Sequence, residues 1–533
     1  MSENKLKLFK HLKNDLPASI VVYLVALPLC LGIAFASTDV EGIAGMPNIF
    51  AGIIAGVVGG IVVGTLSGSG LGVSGPAAGL ITIVLAAITS LGSFEAFLVA
   101  IIIAGVLQII AGYLKAGVIG YYFPSSVIKG MLGGIGIILI LKEIPHAFGY
   151  DADFIGDEAF SQPDGHNTFS EIYYAFEKTH RGAIIISLIS LGILILFEQK
   201  FMKKVKLFNF LPGALFVVVL GVVLNYFFGY MDPSLVLSGE HLVQLDVVSS
   251  TQDFKNLFTA PDFSVLSNPN VYVVGLTIAI IASLETLLSV EATDKLDPHK
   301  RITPTNRELK AQGVGNIISG LLGGLPITQV IVRSSANINS GGKTKISAIF
   351  HGVILFLSVI LIANVLNMIP LASLAAILLV IGFKLAKPSL IRGMYKLGWN
   401  QFLPFIITII VVVFTDLLKG IGVGILVAIL FILANYRFAI KYSFKNMLFA
   451  FDTKKEGNKT TIVLASEVNF FNKGAISKML SELPEGSHLE IDGTNSHYID
   501  YDVKEIIQNF EALAAKEKNI TITMKGVKQI KLI

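Results

Sequence analysis

The sequence predicts an α-helical multi-pass membrane protein of about fourteen transmembrane segments in two matching sets of seven, followed by a small cytoplasmic α/β domain. Three observations carry that reading. Charge is scarce and unevenly spread. Asp, Glu, Lys and Arg make up 15% of the 533 residues and are absent from 16–38, 42–94 and 346–383, where a soluble chain carries about a quarter. Apolar runs of roughly 20 residues cross a bilayer, and a soluble α/β protein does not tolerate so many of them. A short segment broken by Gly and Pro recurs in third place in each set, and after about residue 442 the pattern changes to short strands with one amphipathic helix.

The first set covers roughly 17–37, 46–66, a short 76–91, 94–114, 123–142, 182–198 and 207–229. The second covers 271–292, 309–323, a short 327–339, 345–367, 370–384, 401–417 and 420–438. Lys and Arg gather in cytoplasmic loops, which orients the set. With the N-terminus inside, the loops after even-numbered segments carry Lys115, "QKFMKKVK" (199–206), Lys295, Lys300, Arg301, Arg307, Lys343 and Lys345. They go on to Lys384, Lys387, Arg392, Lys396, Lys441 and Lys445. The two long opposite loops, near 146–180 and 230–270, carry Asp151, Asp153, Asp157, Glu158, Asp232, Glu240, Asp246 and Asp253 instead.

Both termini are therefore expected in the cytoplasm, with the chain in the plasma (inner) membrane. Residues 1–14 form a basic tail, 15–442 the transport domain and 443–533 the soluble domain. The tail leads into a full-length span and lacks the cleavage site of a secretory signal. The lone Cys30 forms no intramolecular disulfide. In the last domain "TTIVLASEVNFF", "HLEIDGT" and "NITITMKGV" read as strands and "YDVKEIIQNFEALAAKEK" as a helix.

The broken segments follow "SGSGLGVSGPAAG" (67–79) and "GLLGGLPITQ" (320–329). Paired breaks at matching positions point to a transporter site between inverted repeats. A half-helix starting inside the membrane aims free N–H groups and the positive end of its dipole at whatever lies there. Two such ends face to face hold a small anion. Gly75, Pro76, Ala77 and Ala78 supply the first end; Ile327, Thr328, Gln329 and Val330 supply the second, with the Thr328 hydroxyl and Gln329 amide as further donors. Arg333, seven residues after Pro326, either adds positive potential there or pairs with a carboxylate or reaches the boundary near Gly341 and Gly342. Glu285 lies mid-way along the eighth segment with Ser289 one turn on, a proton or cation site or else a structural ion pair with Arg333 or Lys129. Gly64, Gly68, Gly70 and Gly72 suit close packing better than a nucleotide loop. There is no Cys/His cluster at metal spacing, no catalytic triad and no phosphate-cradling loop in context, so neither an enzyme nor a cofactor is expected.

Several stretches together resemble the SulP (sulfate permease) family of anion transporters. They are "DLPASIVVYLVALPLCLGIAFAS" (15–37), "VSGPAAG" (73–79), "TPTNRELKAQGVGNIISGLLGGLP" (303–326) and "VIVRSSANINSGGKTKISAIFHGV" (330–353). The C-terminal region is similar to the STAS domain that follows such membrane domains. The resemblance implies two inverted seven-segment repeats, with segments 1–4 and 8–11 as a core and the rest as a gate. It implies an anion site lined by Pro28, Leu29, Ile33, Gly75, Ala77, Ala78, Thr328, Gln329, Val330 and Ile331. Core would move against gate to alternate access, in a homodimer joined through the STAS and gate regions, with lipid and the anion as partners and no nucleic acid.

Sodium-coupled bicarbonate members of that family use an acidic residue on segment eight, a hydroxyl four residues later and a threonine two residues before the segment-ten arginine. Glu285 and Ser289 match the first two, but Ile331 stands at the third. That favours a proton, or simple exchange, over sodium at Glu285 and Ser289. In soluble STAS proteins a phosphorylatable serine follows an Ile-Asp; "YIDYDVKEII" has Tyr501 there. This STAS variant resembles those of members fused to a carbonic anhydrase, which tilts the choice of anion toward bicarbonate over sulfate. An anion channel and a nucleobase:proton symporter on the same plan are the alternatives.

Overall fold

The computed structural model describes residues 9–38, 49–152, 160, 166–199, 202, 212–245, 247, 250–436 and 451–527. Lys441, Lys445, Asp153, Asp157, Glu158, Asp246, most of 199–206 and the expected boundary near 442 lie outside the described residues.

Every one of the fourteen segments coincides with a helix. The first set is α1 (Leu12–Thr38), α2 (Phe50–Val58, continued to Leu66), α3 (Ile81–Leu91), α4 (Phe94–Tyr113), α5 (Ser125–Phe148), α7 (Arg181–Phe197) and α8 (Gly213–Met231). The second set is α9 (Pro269–Leu296), α10 (Thr305–Leu322), α11 (Ile331–Asn339), α12 (Ile346–Leu361), α13 (Leu371–Leu385), α15 (Trp399–Phe414) and α16 (Leu417–Tyr436). Among the helices not anticipated, two lie between the membrane segments and are long enough to matter to the packing. The first, α6 (Thr168–Glu177), starts on an Asn167 capping box, a local signal the hydropathy pattern does not register; the second is α14 (Pro388–Lys396). By length and composition five helices are long and apolar enough to cross a membrane, or six if α6 and α7, bent by 114°, count as one span. Several others are apolar but shorter, among them Phe50–Leu66, Ile346–Leu361 and Trp399–Phe414, and the third and tenth segments are short as they must be if they begin inside the protein.

The helices sort into two bundles. In one, α4 packs on α10 and α9, and α12 on α1 and α2; in the other, α5 packs on α13 and α15, and α13 on α7. These are the expected core and gate. Three close crossings are made by glycine pairs, which let helices in a membrane approach closely. A Cβ at Gly105 or at Gly313 would stand 2.5 Å from the other's carbonyl oxygen, and one at Gly60 would stand 2.8 Å from the Gly352 Cα. Adding seven to each segment number turns the 4–9 crossing into 11–2, so these two crossings are images of one another. The crossing of segments 5 and 12 at Gly136 and Gly382 maps onto itself. That is the signature of an internal repeat written in packing.

Polar ties sort the loops into two ends. Asp15 at the start of α1 accepts from the Lys343 N–H at 2.7 Å and the Thr344 N–H at 3.0 Å. Lys345 reaches Thr65 O, Arg307 reaches Leu66 O and Arg301 reaches Lys343 O. At the opposite end Asp151 joins His146 and His241, each at 2.6 Å. The basic and acidic loops thus meet their own kind.

The C-terminal domain is a four-stranded sheet in the order β3 (Phe451–Glu456), β4 (Lys459–Leu464), β6 (His488–Asp492), β8 (Thr521–Lys525). β3 is antiparallel to β4 and the rest are parallel. A small β5–β7 pair (Glu467–Val468 with Tyr498–Ile499) and helices α17 (Lys473–Ser481) and α18 (Tyr501–Asn509) complete it around Ile462, Leu489, Ile491, Val503 and Ile507. Tyr501 is buried and its hydroxyl accepts from Lys129 at 3.2 Å.

Gly313→Val should cost about 1–3 kcal/mol through overpacking against Gly105, read as a lower midpoint in thermal unfolding in detergent. In the C-terminal domain, burial and then the neighbouring Asp502 push the Asp500 carboxyl up to about 7. The folded domain therefore holds that proton more tightly than the unfolded chain, so stability is lost as the pH rises through about 7. Hydrogen exchange of 488–525 should be slower at pH 6 than at pH 8 after correction for intrinsic rates, and Asp500→Asn should shrink the difference.

Candidate anion site between two helix starts

The breaks in the third and tenth segments are not bare turns. β1 (Ser74–Pro76) and β2 (Ile327–Gln329) pair antiparallel, Ser74 opposite Gln329, Gly75 opposite Thr328 and Pro76 opposite Ile327. Pro76 lacks an N–H and suits so short a strand. Extended Ala77 leads into a 3₁₀ turn at Ala78–Leu80 and then α3; extended Val330 leads into α11. Neither start has a side-chain cap.

The helix ends therefore lie later than the sequence implies. The proposed donors at Ile327, Gln329 and Val330 are already committed, to Asn316 Oδ1 at 2.6 Å, Thr286 Oγ1 at 3.2 Å and Val73 O at 2.9 Å. Strand geometry needs those bonds, and the open first-turn N–H groups move to Ala78 and Gly79 on one side and to Ile331 and Val332 on the other. Ala78, Gly79 and Val330 are half-buried, whereas the strand residues before them are buried.

Side chains across an antiparallel pair share a face. Ser74 Oγ accepts from Gln312 Nε2 at 2.8 Å and Gln329 Nε2 donates to Thr293 Oγ1 at 3.0 Å, so that face is turned to α9 and α10. Gln329 is thus an anchor of β2 and not a donor aimed at the site. Gly75 and Thr328 occupy the other face. A Cβ on Gly75 would lie 2.0 Å from Arg333 Nη1, which fixes that face against the guanidinium. The Thr328 hydroxyl is buried there without a hydrogen-bond partner.

Arg333 is fully buried. One Nη donates weakly to Pro76 O at 3.4 Å, while Nε and Nη1 have no hydrogen-bond partner. No carboxylate pairs with it among the described residues, and it does not reach the boundary near Gly341. Cys30 Sγ and Arg333 Nη1 both border Gly56, where a Cβ would lie 2.7 Å and 3.9 Å from them. His351, buried and held through Nδ1 near Ala348 O at 3.1 Å, stands within electrostatic reach. Among the described residues, the groups beside the guanidinium are uncharged side chains and backbone carbonyls, with no carboxylate paired to it.

Glu285 lies at the start of α3: a Cβ on Gly79 would be 3.1 Å from its Oε1. Ser289 is buried one turn further along, where its carbonyl accepts from Thr293 at 2.6 Å. Lys129 is committed to Glu505 at 3.2 Å, which removes it as a partner for Glu285. Ala77 and Ile331 are buried beside the two helix starts; Pro28, Leu29 and Ile33 are buried in α1, which packs on α3 and α11. Pro28 has no N–H to give the Leu24 carbonyl.

The sequence reading missed the strand pairing, the Asn316, Thr286 and Thr293 anchors, and the placing of Cys30 and His351 against Arg333. Gln312 and Asn316, four apart and so on one face of α10, were the available signal.

The family model described as the Sulfate permease family matches residues 12–410. The bicarbonate transporter BicA of Picosynechococcus sp. is 27% identical over 431 residues, 79% of this chain and 70% of that protein. The solved transmembrane domain of a cyanobacterial BicA aligns with a TM-score of 0.54 at 23% identity, covering 77% of this chain and 98% of that one. The overall structure of SLC26A9 aligns with a TM-score of 0.56 at 13% identity, covering 97% and 84%. With the family model spanning both helix starts, the glycine crossings and Arg333, the chain belongs to the sulfate permease family of anion transporters.

Proposed function

We propose that this transporter carries a small inorganic oxyanion, bicarbonate or sulfate, and that the anion sits between the starts of α3 and α11. The observation that carries the reading is Arg333, a fully buried guanidinium with donors unspent and no carboxylate beside it. A buried cation without a counter-charge is strongly unfavourable, and a bound anion relieves it. The uncapped N–H groups at Ala78, Gly79, Ile331 and Val332 supply direct bonds; the Thr328 hydroxyl adds one. Generic dipole recognition suits either oxyanion, and the name of the BicA relative favours bicarbonate.

Transport proceeds by alternating access, the core bundle moving against the gate. Glu285 at the α3 start carries the coupling charge. A carboxylate at that spot needs to be neutralised before an anion binds next to it, which a proton does alone and sodium does with Ser289 and further oxygens. Ile331 offers no side-chain oxygen, so proton coupling or exchange is favoured over sodium. The basic end, with both termini, faces the cytoplasm of a plasma-membrane protein, and two copies associate through the gate and the C-terminal domain.

Uptake of labelled bicarbonate and sulfate into proteoliposomes, with pH and sodium gradients varied independently, tests the reading. Arg333→Gln should raise KM for the anion by at least about tenfold, equivalent to about 1.4 kcal/mol, and Thr328→Val should raise it less. Gly75→Ala puts a methyl 2.0 Å from Arg333 Nη1 and should abolish uptake, while Gly192→Ala, which meets open space, should leave it intact. Glu285→Gln should remove the response to a pH gradient. Unchanged KM in Arg333→Gln would sink the site, and current linear in voltage without coupling would indicate a channel.

A further inference from the structure

The C-terminal domain does not hang from the last helix but is bolted to both bundles, through one carboxylate. Glu505 on α18 is nearly buried and receives Lys295 Nζ at 3.0 Å and Lys129 Nζ at 3.2 Å. Lys295 ends α9 of the core, and Lys129 lies in the first turns of α5 of the gate. Around this junction Asp502 accepts the backbone N–H of Ser125 at 2.8 Å, and Glu505 also accepts the Ser125 hydroxyl at 2.9 Å. Lys129 stands over the Tyr501 ring at 4.8 Å, and Lys473 of α17 pairs with Glu291 of α9. Three lysines and three carboxylates thus meet in a buried seam, two of the bundles' cations sharing one acceptor. Burial raises the Glu505 carboxyl, but Lys295 and Lys129 outweigh it and hold it well below its ordinary range.

We propose that Glu505 is a clip that fastens core to gate at the basic end, so that the C-terminal domain restrains the relative motion of the bundles and releasing it speeds transport. The second half rests on the alternating-access reading above; the first does not. A domain merely anchored to one bundle would need contacts to that bundle alone. Here the same two carboxylate oxygens are divided, Oε1 to the gate's Lys129 and Oε2 to the core's Lys295. Any sliding of α9 past the start of α5 must pull one lysine off, which in a buried site leaves a charge uncompensated.

Hydrogen exchange and anion uptake on the full chain test this together. Glu505→Gln should speed amide exchange by at least about tenfold at both 123–130 and 290–303. Lys129→Met and Lys295→Met, each cutting one arm, should raise the maximal uptake rate by about threefold or more with KM unchanged. They also serve if Glu505→Gln does not fold. Loosening confined to 498–510 would overturn the clip. Uptake that stays level or falls while both segments loosen would overturn the restraint. If the unmodified chain takes up no anion under any gradient, the transport reading fails and the exchange result still decides the clip.

Discussion

The pairing of Ser74–Pro76 with Ile327–Gln329 is the constraint on which the rest of the site depends. Two polypeptide segments enter the middle of a helical bundle as bare extended chain, where every backbone group needs a partner. Pairing with each other satisfies part of that demand, and side chains from α9 and α10 satisfy more: Asn316 both accepts from the Ile327 N–H and donates to its carbonyl. Once the strands are fixed back to back, the helices that leave them start from adjacent points. Their positive ends then converge on one small volume without any ligand to hold them there.

Arg333 gives that convergence its sign. Its guanidinium lies beneath the strand pair, in the space that glycine at position 75 leaves open, with the Thr328 hydroxyl on the same face. Around it lie the Pro76 carbonyl, the Cys30 thiol and the His351 imidazole, and no carboxylate pairs with it among the described residues. Glu285 lies against the other helix start, beside Gly79.

Much of this was legible in the sequence, for identifiable reasons. Charge-free runs the length of a span locate helices because lipid excludes charge, and Gly-Pro breaks at equal places in two sets mark the two segments that pair as strands. The orientation of individual donors was not legible. A three-residue strand has no periodicity to detect, so Gln329 read as a donor to the anion although its amide turns to Thr293. Arg333 left two readings open because hydropathy is blind to whether a cation has a partner. Lys129 read as a possible partner of Glu285, since nothing in its neighbourhood reveals that a carboxylate 376 residues later takes it.

The central claim is that one anion binds between the starts of α3 and α11 with Arg333 behind it. Selenate has the shape and charge of sulfate and scatters anomalously, so diffraction from crystals soaked in it at the selenium edge locates the site directly. A selenium peak is expected within hydrogen-bonding reach of the Ala78–Gly79 and Ile331–Val332 amides, lost in Arg333→Gln crystals. A peak elsewhere in the membrane domain, or one at this place that survives the loss of Arg333 undiminished, would contradict it.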